Sequence, residues 1–408
     1  MRVLLRTLAA APHRVMFAGG MLTGLAAMLW WLADLGGRYL GLYPLPVWPV
    51  VAGWTHAHFF IFCFFPFFMF GFLMTAMPNW LGDVSVKRSA YLAAGAAQFA
   101  GVLFLLAGLW IGRGTMLAGA FLHLAGFGVG IAELVRLNAA SRNLDNAYPR
   151  FIVFSLIVGW IAASGFVFWL AGADAGFAAA SRTIGLWWFL VPVFFSVTHR
   201  MLPFFSSRVI PDYVITRPRW SLPLMLGLFW LHGAIDLAGF HAWLWLADLP
   251  ALAIVGYLAV IWGISHCFAA RLLAVLHLSL LGLLVALLLS MLQSSGQLSR
   301  GEYVLGAAPL HALTIGYFSA MTLAMVSRVS LGHSGRALFA DTLTWSCFIG
   351  VLAAAVMRVI AEFSAAGTSG AAPVLTVIAG LLWLASFAAW TIRYLPMYFS
   401  TRVDGKPG

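Results

Sequence analysis

Eleven histidines are the side chains best able to do chemistry in this chain, and most of them fall inside apolar stretches. Carboxylates are nearly absent from those stretches: Asp34, Asp236 and Glu362 sit near one set of ends, and Glu133 near the other. An ionisable group kept in hydrocarbon is costly and ordinarily marks a functional site. A proton-driven carrier calls for buried acids. Neutral imidazole suits zinc, copper or iron instead. The imbalance therefore points to metal chemistry before proton coupling.

Gly53-Trp54-Thr55-His56-Ala57-His58 is the densest motif. Successive helical residues turn by about 100°, so His56 and His58 point about 200° apart on a helix. They then face two separate centres; a frayed turn would let them chelate one ion, and an ordinary interfacial hydrogen bond is the plain alternative. Nine phenylalanines follow between positions 59 and 72. Flat aromatic surface packs against a haem macrocycle, and equally against neighbouring helices. Pro66 is expected to bend the helix. Cys63 lies on nearly the same face as His56, either as a soft ligand or as inert filling. His232 and Asp236 are four residues apart and share a helical face, a spacing that lets a carboxylate orient a metal-binding ring; His241 follows in a loop. His123 sits beside Gly126 and Gly130, a small-residue pair that favours close helix packing, and reads as a buried polar contact. His199-Arg200, Arg328 and His333 form a second group. The two arginines are expected to reach headgroups or to bind an anionic group such as a haem propionate. His13, His266 and His277 read as interfacial.

The elements that must position these residues follow from composition. The chain has 408 residues, 63% hydrophobic and 9% charged. Soluble domains carry roughly a quarter charged residues, so a soluble enzyme, a disordered chain and a nucleic-acid reader are excluded despite the net charge of +11. Twelve apolar runs reach membrane-spanning length, near 15–35, 51–77, 90–111, 114–135, 150–171, 183–206, 220–240, 243–264, 271–292, 306–330, 338–362 and 374–397. None alternates with period two, as a β-barrel requires, so each is expected to be a helix whose backbone bonds to itself. The result is a single all-α transmembrane domain over 1–408. The first run lacks a cleavage site and reads as an anchor. With twelve spans both termini share a side, and 18 of the 23 basic residues fall there against 5 opposite; that bias puts both termini in the cytoplasm. The three cysteines, Cys63, Cys267 and Cys347, are odd in number and scattered through apolar runs, which is no disulfide framework.

On this layout spans 2, 6 and 10 run from outside to inside, and each carries histidine: His56 and His58, His199, and His311. His311 lies in the same outer third of the membrane as the span 2 pair. Two helices facing each other at equal depth can supply one imidazole to each side of a haem, so bis-histidine ligation by His311 and one of His56 or His58 is the leading geometric expectation. Gly316 allows close approach of a ring or a helix. No Cys-x-x-Cys-His motif is present, so haem would be held non-covalently.

Three patches resemble the NnrS family: His311-Ala-Leu-Thr-Ile-Gly running to Arg328-Val-Ser-Leu-Gly-His333-Ser-Gly-Arg336; His56-Ala-His58 continuing to Gly71-Phe-Leu-Met-Thr-Ala-Met-Pro78-Asn79-Trp80; and, more weakly, Arg200-Met-Leu-Pro203-Phe-Phe. With the length and the span layout, the resemblance covers effectively the whole chain. It implies a bacterial inner-membrane protein containing haem b and copper, tied to nitric oxide metabolism and nitrosative stress, with His56, His58, His311 and His333 as the matched histidines. Many members carry an acid where this chain has Phe59, and a glycine where it has His199. The twelve-span layout also resembles the catalytic subunit of haem–copper oxidases and nitric oxide reductases, an architectural analogy only.

The expected cofactor-binding residues are thus His56, His58, His311, Arg200 and Arg328, and the expected metal ligands His56, His58, His232, His311, His199 and His333. The expected partners are the bilayer, nitric oxide or another small ligand, and an electron donor, without nucleic acid. Turnover by a nitric oxide reductase-like oxidoreductase, sensing without turnover, and a twelve-helix transporter of a small or metal-complexed solute are the competing functional readings.

Overall fold

The structure, a computed structural model, describes residues 2–44, 46–82, 84–141, 143, 147–365 and 370–405. Arg142 and Lys406, counted above in the charge bias, lie outside the described residues. Among the described residues there is no strand, and every one of the twelve apolar runs is helical. Hydrocarbon offers no partner to a backbone N–H or C=O, so a chain this apolar closes its hydrogen bonds within each segment. We label the helices α1 (Pro12–Leu40), α2 (Ala52–Trp80), α3 (Arg88–Ile111), α4 (Arg113–Ala139), α5 (Ala147–Leu170), α6 (Ala175–Ser206), α7 (Ser221–Leu237), α8 (His241–Ile261), α9 (Arg271–Arg300), α10 (Ala308–His333), α11 (Thr342–Ser364) and α12 (Ala372–Phe399). Eleven of them are long and apolar enough to cross a membrane, whereas α7 is apolar but has only 17 residues.

The helices that carry the paired histidines form the centre. In α2, 83% of the most apolar stretch is buried, and in α10, 78%, against 33% in α11 and 28% in α12. The phenylalanine run of α2 covers all faces because that helix has protein on every side: Phe59, Phe62, Phe64, Phe65, Phe67 and Phe70 are all buried. Close approach is set by glycine at two places. A Cβ on Gly126 would stand 2.6 Å from the backbone nitrogen of Gln98, so α3 and α4 touch backbone to backbone. Gly282 of α9 lies directly on the backbone of Gly316 in α10, so Gly316 accommodates a neighbouring helix. At one end of the bundle, the buried Arg14 of α1 donates to the carbonyls of Tyr398 (3.2 Å) and Ser400 (2.9 Å). That end is called the basic end below. All three cysteines are buried and free.

Three central helices depart from α geometry at matching positions. α2 turns to π-helix over Phe59–Phe64, α6 over Gly185–Leu190, and α10 over Ala312–Ser319. The wider turns end on bonds spanning five residues: Phe65 N–H to Phe60 O, Val191 N–H to Leu186 O, and Ala320 N–H to Ile315 O. In α2 and α6 a proline follows at once, Pro66 and Pro192. A proline ring presses on the carbonyl four residues back and removes a donor; the helix relieves this by widening, so at Pro66 it continues rather than breaks. In α10 no proline follows, and the hydroxyl of Ser319 donates to the carbonyl of Thr314 (3.0 Å), five residues earlier. π segments of this kind recur at functional sites.

Candidate functional site

His58 immediately precedes the first π segment, and His311 immediately precedes the third. His56 and His311 line one cavity, together with Trp31, Phe60 and Trp383, the π-segment residues Leu186, Thr314 and Ile315, and two cations, Arg182 and Arg358. The space between the lining atoms is about 790 Å³, of which about 100 Å³ is open to the centre of a water molecule. The cavity is narrow, with Trp31, Phe60 and Trp383 among its walls.

The two rings are held differently. His311 Nδ1 is 2.9 Å from the carbonyl of Ala307. A carbonyl only accepts, so Nδ1 carries the proton and Nε2 keeps its lone pair, the arrangement common to metal-bound histidine. His56 stacks on Trp31 with ring centroids 4.2 Å apart and 17° between planes, and its Nδ1 is buried without a hydrogen-bond partner. No carboxylate lines the cavity among the described residues. Arg358 is paired with Glu362 at 2.5 Å, one turn further along α11.

His58 points away, as the 200° separation requires. Its ring stacks on Phe166 of α5 (3.8 Å, 13°), beside a smaller cavity with about 230 Å³ between lining atoms. Both of its nitrogens are buried without partners, and so is Nε2 of His123 in α4. His56 and His58 thus face two different places. Arg182 touches both: it lines the His56–His311 cavity, the His58 cavity and a third, more open one holding His232. Arg182 and Arg358 were not singled out from the sequence. Their signal was present, since both belong to the sparse basic residues that run against the orientation bias.

Several expectations need correcting. His232 is not oriented by Asp236; its Nδ1 meets Asp248 Oδ1 of α8 at 2.6 Å, and its ring stacks on Trp187 at 3.4 Å. Asp236 instead accepts from Thr183 (2.8 Å) and pairs with His241 (3.1 Å). The spacing was right for contact, but tertiary packing offered each group a better partner. His199 has both nitrogens engaged, Nδ1 with the Tyr148 hydroxyl and Nε2 with the Ser221 hydroxyl, each at 2.7 Å, which leaves no lone pair toward a metal. Arg200 and Arg328 do not line the His56–His311 cavity. From Arg182 to Arg200, and from His311 to Arg328, the chain runs 18 and 17 residues along helices, about 27 and 26 Å at 1.5 Å per residue. They lie at the basic end with His333. There His333 meets His13 with ring centroids 4.7 Å apart. His13 and His277 are buried within the protein, near the hydroxyls of Thr75 (3.4 Å) and Ser206 (3.3 Å), whereas His266 is exposed. Among the described residues, no group of three or more His, Cys, Asp or Glu side chains is placed to hold a metal ion.

The comparison with protein families follows the same residues. No curated protein matches the chain. The family model described as NnrS protein matches residues 7–402, a span that takes in His13, both histidines of α2, the π segments and the His311-to-Arg336 patch, and on that match over nearly its whole length the chain belongs to the NnrS family.

Proposed function

We propose that this chain is a twelve-span protein of the bacterial inner membrane, with both termini in the cytoplasm, that holds haem b between His56 and His311 and binds or reduces nitric oxide in nitric oxide metabolism or nitrosative stress defence. The observation that carries the reading is the convergence of His56, one turn before a π segment, and His311, directly before another, on one apolar cavity that also holds two arginines.

The residues present fit a haem. The room open to the centre of a water molecule is about 100 Å³, below the roughly 300–1,000 Å³ of cofactor sites, so the aromatic rings must turn aside to admit a macrocycle; what speaks for haem is the donor set. His311 Nε2 has its lone pair free because Nδ1 is committed to Ala307. His56 brings a buried imidazole with an unsatisfied nitrogen. Arg182 and Arg358 are the two cations that can receive propionates. Haem, when bound, supplies a redox-active iron with affinity for nitric oxide. The protein's own part is to fix the imidazole tautomer, to exclude water with Trp31, Phe60 and Trp383, and to balance carboxylate charge with guanidinium. A copper ion would fall to His58, whose two unpartnered nitrogens face away from the His56–His311 cavity; Nε2 of His123 is likewise buried without a partner.

Optical spectra and metal analysis of detergent-purified protein, produced with ample haem, test the reading. A Soret band is expected, and His311→Ala should shed the haem or turn it five-coordinate, while His333→Ala leaves the spectrum unchanged. Absence of any Soret band, or a spectrum indifferent to both His56→Ala and His311→Ala, overturns it.

A further inference from the structure

A second cavity opens at the basic end, between the far ends of α2, α6 and α10, with a volume of about 960 Å³. Five arginines line it, Arg200, Arg208, Arg217, Arg328 and Arg402, and among the described residues no carboxylate does. Arg402 has its own partner, Asp404 at 2.6 Å. Three of the other four lie against aromatic faces: Arg328 is 4.0 Å from the ring centroid of Phe205, Arg208 5.0 Å from that of Phe204, and Arg200 4.5 Å from that of Trp80. Arg217 donates through Nη2 to the carbonyl of Arg200 (2.5 Å), and its Nε is buried without a partner.

Orientation in a membrane explains why basic residues gather at one end. It does not explain their convergence on a recess between three central helices. Stacking fixes one face of the Arg208 and Arg328 guanidiniums and leaves their N–H edges to point elsewhere. Several like charges around a low-dielectric recess repel one another and create a field that an anion relieves. The planar fork of arginine matches a phosphate bidentately, and basic recesses between transmembrane helices take anionic headgroups.

We propose that this cavity is a binding site for a phosphate-bearing anion, gripped by Arg208, Arg217 and Arg328, whether that phosphate belongs to an anionic lipid headgroup or to a soluble phosphate ester. The site is independent of the haem reading, since it lies at the opposite end of the same helices.

The test uses the full chain in phosphatidylcholine nanodiscs, with and without cardiolipin, titrated with tripolyphosphate by calorimetry at low salt. Native mass spectrometry reads retained cardiolipin in parallel. Wild type is expected to bind tripolyphosphate or retain cardiolipin, with an affinity that falls steeply with salt. Arg208→Gln should weaken binding about tenfold, and Arg208→Gln with Arg328→Gln further, since each removes charge-assisted hydrogen bonds. The control Arg150→Gln, an exposed arginine outside the cavity, should bind as wild type. Tripolyphosphate binding suppressed by cardiolipin assigns the site to a headgroup, and binding indifferent to cardiolipin assigns it to a soluble ester; both support the proposal. Should the double variant fail to fold, the exposed Arg208→Gln alone decides. Binding of neither probe by wild type, or undiminished binding by Arg208→Gln, overturns the proposal.

Discussion

His58→Phe should stabilise the metal-free protein, and the sign of that effect separates a ligand from a filler. His58 is 5% exposed, and its ring lies flat on Phe166 at 3.8 Å. Phenylalanine is of similar shape and preserves the stack. What disappears is two buried nitrogens, neither with a hydrogen-bond partner. A buried polar group left unsatisfied costs about 1–3 kcal/mol, so two such atoms on one ring cost about 2–6 kcal/mol as an upper bound; a residual water contact would bring this toward the lower figure. A gain of 1 kcal/mol shifts melting by about 2–4 °C in a 150–250-residue domain and by less in a longer chain, so a rise of about 2 °C or more is expected. The assay is thermal unfolding in detergent after exhaustive chelation, repeated with cuprous ion. Copper should raise the melting temperature of wild type, because a ligand that binds only the folded state stabilises it, and should leave His58→Phe unmoved. A variant less stable than chelated wild type would refute the reasoning, because it would show that the two nitrogens are satisfied in the folded protein. Equal stabilisation of both proteins by copper would remove His58 as the ligand.

Asp248→Asn should destabilise the protein by about 1.5–3 kcal/mol, the worth of a hydrogen bond to a charged group, because His232 and Asp248 are 5% and 1% exposed and meet at 2.6 Å. Asp236→Asn should cost no more than about 1 kcal/mol, the range of partly exposed pairs; chemical denaturation of both variants checks the reassigned partner. Gly282→Val should disrupt the α9–α10 contact, since even a Cβ there meets the backbone of Gly316, and overpacking of this kind costs about 1–3 kcal/mol; thermal unfolding and haem content, measured together, read it. Asp341, ahead of α11, feels burial that would raise its pKa, but hydrogen bonds from Thr344 and the charge of Arg393 outweigh it and hold the carboxyl below its ordinary value. A folded-state pKa below the unfolded one means the contribution is present above the ordinary carboxylate range and is lost as pH falls through the depressed value. Asp341→Asn should therefore flatten the acid limb of a stability–pH profile, and an unchanged limb would contradict the assignment.

Much of the site was legible in the residues because two of its causes are local. Helical rotation alone separates His56 from His58, and they do face different cavities. The recurrence of histidine in spans 2, 6 and 10 had a counterpart in backbone form, since those three helices carry the π segments. The π turns themselves were not legible: Pro66 announced a disturbance, but its relief by widening depends on what packs beside it. The pairing of His232 with Asp248 was hidden because the carboxylate comes from another helix, while the i,i+4 neighbour Asp236 offered a plausible decoy. Arg200 and Arg328 do lie at the end where the charge bias put them; that they line the cavity there, and not the one between His56 and His311, is a matter of packing that charge and motif proximity do not reach.

Composition and periodicity by themselves determined that this chain lives in lipid as a bundle of apolar helices, because too few charges exist to solvate it and hydrocarbon leaves the backbone no partner but itself. They also determined which end gathers the arginines. Only the tertiary structure decided that His56 and His311 share a cavity with Arg182 and Arg358, that His199 is spent on two hydroxyls, and that His13 meets His333. Those are choices among partners on different helices, set by which faces pack together, and no rule of spacing along one helix reaches across to the next.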